Sequence, residues 1–82
     1  MKNHVKVYYE FNRITPGDWV GCRVCGSTAN DIHHIEPKGM GGRPNADTPD
    51  NLIALCRECH EKAHGNIYTK DFLKSLLSSF NL

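Results

Sequence analysis

The sequence predicts a small α+β domain that needs a staple, and three observations predict it. Short apolar runs with the character of strands occupy the N-terminus and the middle of the chain, stretches of helix formers follow in the last third, and four cysteines stand in two Cys-x-x-Cys pairs. A chain of 82 residues has room for one domain, expected over residues 1–82 with its motif core at 22–64. At that size folding buries only about 60% of the surface the unfolded chain exposes. The cysteines are the candidate staple.

From Val5 to Phe11 the apolar residues Val5, Val7, Tyr9 and Phe11 alternate with Lys6, Tyr8 and Glu10, the period of a half-buried strand. Thr15-Pro16-Gly17-Asp18 reads as a turn, and Gly21 to Gly26 as a tight loop carrying Cys22 and Cys25. Asp31-Ile32-His33-His34-Ile35 reads as a short strand, ended by Pro37 and the Gly39-Met40-Gly41-Gly42 run. A Gly- and Pro-rich loop leads to a second short run, Asn51-Leu52-Ile53-Ala54-Leu55. That loop is long for a simple hairpin, and long ordered loops tend to carry function. After Cys56 the segment Arg57 to His64 contains good helix formers, with Gly65-Asn66 as its stop. Thr69 is a candidate cap for a final amphipathic helix whose Phe72, Leu73, Leu76, Leu77 and Phe80 fall on one face, a stripe read as core or as a partner-helix contact.

The cysteines choose between two chemistries. Residues 1–11 lack the uninterrupted apolar run of a secretion signal, and no stretch approaches the ~20 apolar residues of a membrane span. An intracellular protein without a membrane segment is therefore expected, and in a reducing compartment thiols bind metal rather than pair. Cys22, Cys25, Cys56 and Cys59 form two knuckles that together complete a tetrahedral four-cysteine zinc site. A thioredoxin-like redox role is the competing reading, weakened by the absence of a βαβ pattern. A closed site of four thiolates has no open position, so this Zn2+ is assigned to structure. The 30 residues between the pairs exceed the roughly 15 to 20 of a simple zinc ribbon. Something is inserted there, and the zinc clamps its ends.

The formal charge of +1 does not point to nucleic acid, whose binders usually cluster Lys and Arg. Four thiolates on one divalent ion carry two negative charges, while a second divalent ion on neutral imidazoles adds two positive ones. Charge is thereby moved within the molecule without changing the total.

Between and just after the knuckles lie His33, His34, Asn51, His60 and His64. His60 and His64 are spaced i, i+4 on the expected helix, so they project from one face toward a common ion. His33 and His34 are neighbours, and neighbours on a regular strand point to opposite faces. If both serve one site, the strand is expected to end, twist or bulge there.

Taken in order, Cys22-x-x-Cys25, Asp31-Ile32-His33-His34-Ile35-x-Pro37, Gly41-Gly42, Asn51-Leu52-Ile53-Ala54-Leu55 and Cys56-x-x-Cys59-His60-x-x-x-His64 resemble the HNH endonucleases of the ββα-metal (His-Me finger) fold. The resemblance covers residues 22–64, about half the chain, and lies nearest the small stand-alone nicking enzymes of phages and prophages. It implies a metal-dependent DNA endonuclease, nicking or cutting both strands by a one-metal mechanism and leaving a 5′-phosphate and a 3′-hydroxyl. It implies that His34 is the general base, a task suited to an imidazole whose ordinary pKa is ~6.5. Asn51 would hold the His34 ring by a hydrogen bond and so set its tautomer. His33 and His60 would ligate one catalytic divalent ion, with His64 completing that site or donating to the phosphate.

The family commonly has Asp where this chain has His33 and Asn where it has His60. The resulting nitrogen-rich site implies Mn2+ or Ni2+ in preference to Mg2+, which favours oxygen ligands. Arg43, Lys38, Arg57 and Lys62 are candidate contacts to the DNA backbone, Arg43 and Lys38 foremost. Double-stranded DNA is the expected substrate and no membrane is involved. A homodimer, through the N-terminal strand or the final helix, would allow both strands to be cut. The competing reading is a non-catalytic four-cysteine zinc module that binds nucleic acid and needs no second metal.

Overall fold

In the computed structural model, which describes residues 2–37 and 45–78, the order of elements is α1 (Asn3–Phe11), β1 (Asp31–His34), a single 3-10 turn (Pro49–Asn51), β2 (Leu52–Leu55), α2 (Arg57–His64) and α3 (Lys70–Ser78). The two strands form an antiparallel pair with Asp31 opposite Leu55, Ile32 opposite Ala54, His33 opposite Ile53 and His34 opposite Leu52. Because side chains alternate across a strand, Ile32, His34, Leu52 and Ala54 share one face, and Asp31, His33, Ile53 and Leu55 the other. The first face packs on Tyr8 of α1. The second packs on Cys22, Cys56, Cys59, Ala63 of α2 and Leu73 of α3. Covered on both faces, β2 buries all four of its residues and therefore reads as a continuous apolar run rather than an alternation. The succession β1, β2, α2 is the ββα arrangement expected from the sequence.

The N-terminal segment is a helix, not the expected strand. Period two would leave Tyr8 outside, yet Tyr8 is 3% exposed and Phe11 is 62% exposed. A helical repeat places His4, Val5, Tyr8 and Tyr9 on one flank, and Tyr8 then fills the space over Leu52 and Ala54. Aromatic residues and valines fit either period, and the packing decides between them.

Elsewhere the local signals hold. Thr15 donates its amide and hydroxyl to Asp18 across the first turn. Gly26, at φ +82, closes the first knuckle, where its amide donates to the Cys22 carbonyl. The helix α2 stops at Gly65, and α3 begins with the Thr69 hydroxyl accepting the Phe72 amide at 3.1 Å. On the expected stripe Leu73 is buried, Leu76 and Leu77 pack against the same cluster, and Phe72 is 39% exposed beside Tyr68; Phe80 lies outside the described residues. No helix among the described residues is long and apolar enough to cross a membrane.

Candidate metal centre and active site

The four cysteines meet. Their sulfurs lie within 4.8 Å of one another, and none is in a disulfide. Cys25 Sγ and Cys56 Sγ are 3.7 Å apart, close to the edge of a tetrahedron with zinc–sulfur bonds of ~2.3 Å. Cys56 ends β2 and caps α2, accepting the Cys59 amide at 3.4 Å, so a zinc here ties the first knuckle to the junction of β2 and α2. The thiols are unequal without an ion. Hydrogen bonds from Ser27 pull Cys25 down to about 6, whereas burial pushes Cys59 up to about 12. A divalent cation supplies the positive charge that lets all four ionise together.

A second group lies on the α2 side of the sheet. The ligand atoms of His33, His60 and His64 also fall within 4.8 Å of one another. The Nε2 atoms of His60 and His64 are 3.0 Å apart, the separation of two nitrogens bound at ~2.1 Å on adjacent corners of an octahedral ion. His60 Nδ1 is 3.0 Å from Asp31 Oδ2, a contact that orients the ring with Nε2 toward the other imidazoles. Burial, with the charges of His60 and His64 adding to it, pushes the His33 imidazole down to about 4, so it is neutral and able to ligate near neutral pH. The donor set fits a divalent transition ion, and the His64 ligand atom lies within the same group.

His34 lies on the opposite face. No bulge turns it toward His33; both residues stay in register with β2. Its Nε2 is 2.6 Å from Asp47 Oδ1, and its ring stands 4.6 Å, centroid to centroid, from that of His4 on α1. The two histidine groups nevertheless open into one cleft of about 550 Å3 along the outer edge of β1, lined by His4, His33, His34, His60 and His64.

Asn51 does not hold the His34 ring. Fully buried, it accepts the Glu36 amide at 2.8 Å and donates to the carbonyls of Glu36 at 3.1 Å and Ala46 at 2.9 Å. A short amide in the 3-10 turn reaches the backbone beside it, and the imidazole is taken by Asp47. Lys38 and Arg43 lie outside the described residues. Arg57 pairs with Asp31 at 3.5 Å and Lys62 with Glu58 at 3.6 Å, both on α2.

Three site residues escaped the sequence reading. Asp31 was detectable, since it stands two residues before His33 and so shares its face. His4 would have followed from a helical N-terminus, but Asp47 sits in an aperiodic loop with no such signal.

This geometry has its counterpart among known sequences: the family model of the HNH endonucleases matches residues 22–66. The chain belongs to the HNH endonuclease family. Outside the family model, this HNH chain is 36% identical over 70 residues to the "Type IV methyl-directed restriction enzyme EcoKMcrA" of Escherichia coli (strain K12), covering 73% of this chain and 24% of that protein. It is 33% identical over 48 residues to the "Mitochondrial DNA mismatch repair protein mutS homolog" of Sarcophyton glaucum, covering 55% of this chain and 5% of that protein. The chain thus spans about a quarter of the first relative and a small fraction of the second. No solved structure matches.

Proposed function

We propose that this HNH chain is a metal-dependent endonuclease that hydrolyses phosphodiester bonds in double-stranded DNA, by nicking or by cutting both strands. One observation carries the reading: the trio of His33, His60 and His64, whose ligand atoms lie within 4.8 Å of one another, and His34, paired with Asp47, line a single cleft at the edge of β1. The trio of His33, His60 and His64 would hold one divalent ion, which when bound supplies positive charge against the phosphate. His34 takes a proton from the attacking water as its oxygen bonds to phosphorus. The bond from phosphorus to the 3′ oxygen breaks and the departing oxygen takes a proton from solvent water, leaving a 5′-phosphate and a 3′-hydroxyl. Asp31 keeps His60 oriented, and Cys22, Cys25, Cys56 and Cys59 would hold a structural zinc that seats α2 against the strands. Lys38 and Arg43, in the segment of sequence between the strands, are proposed to contact backbone phosphates. A site of three imidazoles favours Mn2+ or Ni2+ over Mg2+.

The test is a plasmid-nicking assay on wild type and His34→Ala, with EDTA, Mg2+, Mn2+ and Ni2+ in parallel. Metal-dependent conversion of supercoiled DNA by the wild type, fastest with Mn2+ or Ni2+ and reduced about 100-fold or more in the variant, is expected. Absence of cleavage under every metal would leave a zinc-stapled binding module in place of an enzyme.

A further inference from the structure

The base of the proposed reaction has a partner that its sequence motif does not assign. His34 Nε2 is 2.6 Å from Asp47 Oδ1, and the Asp47 side chain is 6% exposed against 23% for His34. A carboxylate has no proton to give, so in the neutral ring Nε2 carries the hydrogen and donates it, and Nδ1 keeps the lone pair. We propose that Asp47 is a positioning residue for His34, fixing the Nε2–H tautomer and the ring orientation so that Nδ1 takes the proton from water. This rests on the reading of His34 as the general base.

Asp47 is itself held. Its second carboxylate oxygen accepts the Asn3 amide of α1 at 2.7 Å, so the two oxygens have separate partners and the group cannot swing freely. Asn51 anchors the preceding residue by donating to the Ala46 carbonyl, and its own amide donates to Thr48 on the other side. Asn51 thus bears on the base through the loop that delivers Asp47. The His4 ring limits tilting of the imidazole. A cation shared by His4, His34 and Asp47 is the competing use of the same atoms. Two ligands of one ion with bonds of ~2.0–2.1 Å lie about 3 Å apart or more, however, so 2.6 Å fits a direct hydrogen bond better.

The experiment combines an activity-free readout with kinetics, on zinc-loaded protein. Long-range 15N–1H spectra of the imidazoles are expected to show His34 with its hydrogen on Nε2 in the wild type and a mixture of tautomers in Asp47→Ala. In nicking assays Asp47→Ala is expected to lower kcat about 10- to 100-fold with little change in KM. Asp47→Glu is expected to recover part of that loss, and the effect should vanish in the His34→Ala background. A wild-type His34 protonated on Nδ1, or a tautomer unchanged by Asp47→Ala, would overturn the proposal. Saturable shifts of both the His4 and His34 signals by diamagnetic Zn2+ in a His60→Ala background, where the trio is broken, would overturn it in favour of the cation site. Because the spectra require no turnover, a wild type that never cuts DNA refutes the nuclease reading while the tautomer still decides the fate of the pair.

Discussion

Replacing Cys56 with serine removes the candidate zinc ligand at the junction of β2 and α2. The loss reaches the core, because Cys22, Cys56 and Cys59 belong to the same buried cluster as Ile53, Leu55 and Leu73. Structural zinc in small domains is worth an apparent ~10–16 kcal/mol near neutral pH. Net stability of about 0.05–0.15 kcal/mol per residue gives a chain of 82 residues only ~4–12 kcal/mol in all. A zinc on the four cysteines would therefore contribute about as much as the whole margin or more, and the Cys56→Ser chain, like chelated wild type, is expected to be unfolded at 25 °C. Circular dichroism through a thermal scan reads the fold, and atomic spectroscopy after dialysis reads one tightly held zinc in the wild type. A variant that loses zinc yet melts cooperatively within a few degrees of wild type would refute the argument.

Tyr8→Ala should cost about 3–5 kcal/mol in urea unfolding and Phe11→Ala less than ~0.5 kcal/mol, since the helix buries the first and exposes the second; the reverse order would restore the N-terminal strand. Asn51→Ala removes three hydrogen bonds and strands the Glu36 amide and the Ala46 carbonyl. It should destabilise the fold by roughly 2–4 kcal/mol, and a loss below ~1 kcal/mol would show that the loop carrying Asp47 does not depend on it.

Much of the site could be read from spacing because its chemistry is local. Two Cys-x-x-Cys knuckles specify a tetrahedral cage wherever the chain folds, and an i, i+4 histidine pair on a helix converges by helical geometry alone. The strands β1 and β2 were legible as short apolar runs, and the caps at Gly65 and Thr69 lie within a turn of the helices they bound. The one element misread, α1, has no strong local preference: its valines and aromatics satisfy period two as well as 3.6, and only the cavity over Leu52 and Ala54 selects the helix.

The adjacent histidines mark the boundary between the two kinds of information. The sequence by itself determined that His33 and His34 point apart, that a cage of four cysteines stands beside them, and that His60 and His64 share a face. Tertiary structure alone decided that the divergence still leaves both histidines on one cleft. Packing α1 on one face of the sheet and α2 on the other gives each histidine its own partners, while both still line one cleft along the edge of β1. The same packing brought Asp47 to His34 and turned Asn51 to the backbone, because contacts across a loop depend on where its ends are held and not on any period in the chain.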